Sequence, residues 1–153
     1  MVSSEITLDP TKVVGRRCAQ FVLDVVIVLV PVLVLGIGLG ILLFPTSSLT
    51  ALKVFAITLV AGMFVLYLVG VLLVHIWWPH THGGQTPAMR WLGLRIVTVE
   101  GTQPPLRAYV IRFLLQVVDG FLWGIVGIVL MLVNDRHQRF GDMITGTLVV
   151  RTN

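Results

Sequence analysis

The stretch Arg16-Arg17-Cys18-Ala19-Gln20-Phe21-Val22-Leu23-Asp24, at the head of an apolar run that lasts to Phe44, decides how the whole chain is read. No residue from Val25 to Phe44 is charged, and that run is about the 20 residues a helix needs to cross a hydrocarbon core roughly 30 Å thick. Asp24 belongs to the same helix. At a rise of about 1.5 Å per residue it lies roughly 10 Å deeper than Arg17, so an arginine at the headgroup boundary carries the carboxylate into hydrocarbon. Burial there costs on the order of 2.5 to 3.5 kcal/mol without compensation. The sequence therefore calls for a partner, a water-filled cavity or a functional role at Asp24.

Composition agrees. Of 153 residues, 56% are hydrophobic and 12% charged, and the mean hydropathy is +0.96, too apolar for a soluble domain. The formal net charge of +4 would suggest a basic patch in a nucleic-acid binder. Here the bases flank apolar segments, so the expected partner is the anionic lipid of a bilayer and no nucleic acid. The single cysteine, Cys18, excludes an internal disulfide and a thiolate metal cluster. A cleaved secretory leader is not expected, because the apolar run is too long, Asp24 interrupts its start and no A-x-A-like site follows.

Residues 1–15 read as a polar cytoplasmic tail. A first span is expected over 17–43, with Pro31 inside it, and a second over 51–76, ending in the interfacial pair Trp77-Trp78. Ser48 or Thr50 is placed to cap the second helix. A cytoplasmic loop follows over 79–105, with a strand at 92–99. Residues 134–153 form a cytoplasmic tail with a second strand at 147–152. Since a lone strand leaves its backbone groups unpaired, the two strands are expected to pair, which puts both on one side of the membrane.

Residues 106–133 are long enough for one tilted span, but the positive charges argue otherwise. Lys12, Arg16 and Arg17 precede the first span, Lys53 marks the first loop, Arg90, Arg95 and Arg107 the second, and Arg136, Arg139 and Arg151 the tail. The positive-inside rule puts the amino terminus, second loop and tail in the cytoplasm. We therefore expect a broken or re-entrant hairpin, interrupted at Asp119-Gly120, in place of a third full span. The fold class is then an all-α membrane protein with two full transmembrane helices, a broken or re-entrant helical segment and a small cytoplasmic two-stranded β element.

Polar residues recur on these helices. Arg17, Gln20 and Asp24 fall at i, i+3, i+7, and Arg112, Gln116 and Asp119 at i, i+4, i+7, so each set makes one stripe on an apolar helix. If Asp24 and Asp119 converge at one depth, they form a site for a proton or small cation, with Arg17 and Arg112 as modulators. The opposing expectation is structural, each Asp bonding across a helix interface. Gly120 and Gly124 are spaced for close backbone approach. His75, His80 and His82 lack the geometry and the adjacent ligands of a metal site. No phosphate-binding loop, dinucleotide turn or hydrolase motif is present. We expect no catalytic residue, no metal, no cofactor and no enzymatic activity.

In order along the chain, Arg17-x6-Asp24, Gly84-Gln85-Thr86-Pro87, Leu92-Gly93-Leu94-Arg95-Ile96-Val97, Arg112 and Asp142-x3-Gly146-Thr147-x-Val149-Val150 resemble the RDD family of small prokaryotic membrane proteins. The resemblance covers about 14 to 151. It implies that Arg17 and Asp24 match the namesake Arg and first Asp, and Asp142 the second. It also implies a multi-pass protein of the prokaryotic cytoplasmic (inner) membrane, with suggested transport that includes cation or proton exchange. Two departures stand out. The Gly-Lys that usually follows the Thr-Pro step reads Ala88-Met89, and the His that commonly precedes the tail Asp is Gly141. Asp142 has a structural alternative, capping the turn into Met143-Ile144-Thr145 and bonding the Gly146-Thr147 amides. Two functions follow as expectations. One is a small-ion or proton-coupled transport component, working as a homo-oligomer or as a subunit of a membrane complex. The other is a non-catalytic accessory or scaffold subunit.

Overall fold

A computed structural model of the chain describes residues 10–45, 48–120, 125–134 and 136–152, with the backbone alone at 10–13 and 117–120. Two compact units are present, 25–73 and the combination of Met1–Asp24 with Val74–Asn153. The architecture is mostly helical with one two-stranded antiparallel sheet.

In the 25–73 unit, α1 (Pro10–Leu42) contributes its second half and α2 (Leu49–Leu72) the rest. Val28 packs by Gly70, Gly36 by Met63 and Gly40 by Leu59. As one number rises the other falls, so the helices run antiparallel, and the glycines let them approach closely. Ser48 caps α2 by accepting from the Ala51 N–H at 3.1 Å. α2 has no buried residue. An apolar helix without a protein cover needs lipid to hide it, and Val14–Leu42 and Leu49–Thr81 are both long and apolar enough to cross a bilayer.

Both helices outrun the expected limits. Pro10–Gly15 is helical where a tail was expected, because a proline suits the first turn of a helix and an established helix adds a hydrogen bond for each further residue it orders. The second helix continues past Ile76 through a π-helical turn at Leu73–Trp77 into α3 (Trp78–Thr81). Pro79 lacks an N–H for the ladder, and the widened turn just before it accommodates that loss.

The other unit is built on a local pattern that occurs twice. A six-residue helix, α4 (Pro87–Leu92), ends at Gly93 in the left-handed conformation (φ 62°) and delivers β1 (Leu94–Thr98). Another, which we label α7 (Phe140–Thr145), ends at Gly146 (φ 60°) and delivers β2 (Thr147–Arg151). The Gln85 side chain donates to the Leu94 carbonyl at 2.8 Å, and the Gln138 side chain to the Thr147 carbonyl at 2.8 Å. In each copy the glutamine lies nine residues before its acceptor. The strands pair antiparallel, Leu94 with Arg151 through Thr98 with Thr147. α4 falls inside what the sequence marked as loop. Its signals were present as the Thr86 cap, Pro87 at the first position and Gly93 at the stop, but six residues are too few to display a periodicity.

Met89, Leu94, Ile96, Tyr109 and Val149 form the core of this unit, with Ile76 and Leu92 packed against it. Tyr109 comes from α5 (Leu106–Gly120), which packs on α7. α6 spans Ile125–Val133. The expected interruption near Asp119-Gly120 leads into residues 121–124, which with Gly124 lie outside the described residues.

Candidate functional site

Two buried polar clusters occupy the unit formed by Met1–Asp24 and Val74–Asn153. The first is centred on Asp142, the third residue of α7, which is 2% exposed. Arg17 on α1 donates from Nη2 to Asp142 Oδ2 at 2.6 Å and from Nη1 to the His137 carbonyl at 2.9 Å. Arg112 on α5 pairs through Nη1 with Asp142 Oδ1 and donates to Thr147 Oγ1 at 2.5 Å. The Arg139 amide donates to Oδ2 at 3.0 Å. One carboxylate thus ties α1, α5 and the start of α7 together. Burial alone would push the Asp142 carboxyl up, but the Arg112 and Arg17 guanidiniums and the hydrogen bonds outweigh it and hold the group below the usual carboxylate range.

Local backbone geometry makes this contact reachable. His137 adopts φ 48°, uncommon for a residue with a Cβ, and its ring is hydrogen-bonded to the Met131 carbonyl at 2.5 Å. Its own carbonyl is the one Arg17 uses. At Gly141 a Cβ would stand 3.2 Å from the Arg112 Cα. A glycine at this position therefore lets α7 lie close on α5. The carboxylate of Asp142 bonds the Arg139 amide of its own helix start, while the Gly146 amide goes to the Asp142 and Met143 backbone carbonyls.

The second cluster is centred on Asp24, which has no exposed surface. Its Oδ2 accepts from Gln20 Nε2 at 2.5 Å and Thr86 Oγ1 at 2.8 Å, and its Oδ1 accepts from the Ala88 amide at 3.2 Å. All three donors are neutral. Thr86 also caps α4 by accepting from the Met89 amide at 3.2 Å, so one hydroxyl serves both helix and carboxylate. We expect Thr86→Val to lower stability by about 2 kcal/mol, the sum of a lost cap and a lost bond to a carboxylate. Thr86→Ser should keep most of it. Thermal unfolding of the detergent-solubilised protein, followed by tryptophan fluorescence, reads the difference.

Gln20 and Thr86 also border a cavity of about 50 Å³, whose wall includes Arg17, His75, Tyr109, Arg112, Gln116 and Asp142. That is room for water or an ion of a few atoms, far below the roughly 300 to 1,000 Å³ of an organic-ligand pocket. His75 stacks on Phe113 with ring centroids 6.3 Å apart.

Of the residues singled out from sequence, the structure brings Arg17, Arg112 and Asp142 into one contact, places Gln20 on Asp24, and sets Gln116 in the cavity wall. The side chain of Asp119 lies outside the described residues, so its convergence with Asp24 is outside them too. Sequence reasoning missed Thr86, His75, Tyr109 and Arg139. Thr86 had a signal, the Thr-Pro step of a helix start, whereas His75 was weighed only as a metal ligand and nothing in the sequence singled out Tyr109. Among the described residues there is no group of three His, Cys, Asp or Glu side chains that could hold a metal ion.

Two apolar helices of bilayer length, one of them bearing a wholly buried carboxylate, define the class as a membrane protein. The chain belongs to the RDD family, whose model matches residues 11–146. No curated protein and no solved structure matches the chain.

Proposed function

We propose that this RDD-family protein is a transport component that passes protons or a small cation, with Asp24 as the group that takes up and releases the charge. The observation that carries this reading is the environment of Asp24. It is fully buried in the candidate span Val14–Leu42 and held by three neutral donors, two of which, Gln20 and Thr86, line a cavity of water or ion size. A carboxylate buried among neutral donors draws a proton or a cation to balance its charge. His75, on the cavity wall, is the relay toward the cavity. Arg17, Asp142 and Arg112 hold the frame around it. The protein is non-enzymatic and works as a homo-oligomer or as a subunit of a larger complex, because so small a chain encloses little volume. It sits in the prokaryotic inner membrane with its amino terminus, the 79–105 loop and the tail in the cytoplasm.

The test is flux in proteoliposomes carrying a pH-sensitive dye, under an imposed proton or sodium gradient. Asp24→Asn keeps the shape and two acceptor bonds, and should lower flux about 100-fold or more, the scale of a positioned proton-transfer group, with an unchanged oligomer and only the modest loss of stability expected from the unmet Ala88 amide. The second reading, a scaffold subunit, is favoured by the double pairing of Asp142. It gains if the wild-type protein shows no flux above empty liposomes and Asp24→Asn releases a co-purified partner.

A further inference from the structure

Helix α4 is tied to α1 at both of its ends. At its start the Thr86 hydroxyl and the Ala88 amide donate to the Asp24 carboxylate at 2.8 and 3.2 Å. At its finish the Leu92 carbonyl accepts from Arg16 Nη1 at 2.8 Å. Arg16 precedes Asp24 by about two turns of α1, roughly 12 Å along the axis, and a helix of six residues extends about 9 Å. α4 therefore runs antiparallel beside α1, from the level of the carboxylate back to that of Arg16 and Arg17. That level lies outside the charge-free run that starts at Val25, where a bilayer has its headgroups. One side of α4 faces the core through the buried Ala88 and Met89. On the other side Arg90 is exposed and Trp91 is 70% exposed. We propose that this side of α4 is a docking surface for anionic phospholipid, with the Trp91 indole seated among the headgroups and Arg90 paired with a lipid phosphate.

Level, chemistry and charge together select that occupant. An indole has an apolar body and one N–H donor, which suits the boundary between hydrocarbon and water. A guanidinium matches phosphate oxygens with two parallel donors. From Pro79 to Val99 the chain has two bases, Arg90 and Arg95, and no acidic residue, so the segment attracts an anionic leaflet. A second copy of the chain docked on the same face would bring the same bases up against each other. The surface rests on reading α1 as a membrane span and does not depend on Asp24 carrying a proton or a cation.

The test reconstitutes the full-length protein into vesicles of phosphatidylcholine or phosphatidylglycerol, brominated either near the headgroup or near the chain ends, and records tryptophan fluorescence. Bromine quenches on contact, and the Trp91 share is the wild-type signal less that of Trp91→Phe. Bromine near the headgroup should quench that share more than bromine near the chain ends. Brominated phosphatidylglycerol should reach half-quenching at about a five-fold lower mole fraction than brominated phosphatidylcholine, the scale of one base at a charged surface. Arg90→Gln should bring the two curves together. Both side chains are exposed, so neither substitution removes a packed group. A Trp91 share quenched by iodide in the water and untouched by brominated lipid overturns the proposal. So does a share that no quencher reaches, which assigns the face to a protein partner. Equal quenching by the two lipids in the wild type, or an anionic preference that survives Arg90→Gln, overturns it as well. None of these readings needs an ion gradient, so failure here and failure of the flux measurement are separate results.

Discussion

Replacing Asp142 with asparagine is expected to lower stability by about 3 to 5 kcal/mol, the largest effect of any single substitution considered for this protein. The carboxylate is buried against two guanidiniums, and its loss leaves Arg17 and Arg112 facing each other without a counter-charge. An amide keeps one acceptor and turns an NH2 toward groups that only donate. The same geometry sets a pH dependence. Because the folded-state pKa of Asp142 lies below its ordinary value of 3.8, its stabilising contribution is fully present above that value. It is lost as pH falls through the lower folded-state value. Unfolding temperature measured between neutral pH and pH 3 in a detergent insensitive to acid should drop steeply only at the acid end, and the Asp142→Asn variant should lose that final drop. A variant as stable as the wild type at neutral pH would remove the central claim about this cluster.

The second large effect is expected at Gly84. Its φ of +85° is strained for any residue with a Cβ, and a Cβ there would run into the carbonyl oxygen of Ile96. That contact is with backbone, which has little room to move, since the Ile96 amide donates to the Gly84 carbonyl at 2.8 Å and holds the loop on β1. Gly84→Ala is expected to cost about 3 kcal/mol, combining the left-handed penalty with a steric displacement of the strand. Ala substitution at Gly38, where open space surrounds the position, is the control. Comparing the unfolding temperatures of the two variants checks it, and equal values would show that the loop adjusts freely.

Much of the outline was legible because it follows from local rules. A run of about 20 apolar residues has few structures open to it, so both long helices could be read from composition. Ser48 as a cap and the pairing of the two strands could be read for the same reason, since unpaired backbone groups must be satisfied close by. Arg17, Asp24 and Arg112 also stood out, as charges in apolar surroundings do, whereas Asp142 was marked by the resemblance to the RDD family. The doubled Gln85-to-Leu94 and Gln138-to-Thr147 pattern was harder to see. The copies share a glutamine and a glycine at equal spacing and little else.

What the sequence determined by itself was the cost of each charge in an apolar environment, a property of the residue and its neighbours in the chain. Which charge answers which belonged to the tertiary structure. Arg17 was expected to modulate a site formed by Asp24 and Asp119, yet Arg17 reaches Asp142, 125 residues away, and Asp24 is satisfied by Gln20, Thr86 and the Ala88 amide. The reason is geometric. Two helical turns separate Arg17 from Asp24 on one rod, while the folding of α5 and α7 onto the start of α1 brings distant side chains within hydrogen-bond range, and partner choice follows that distance.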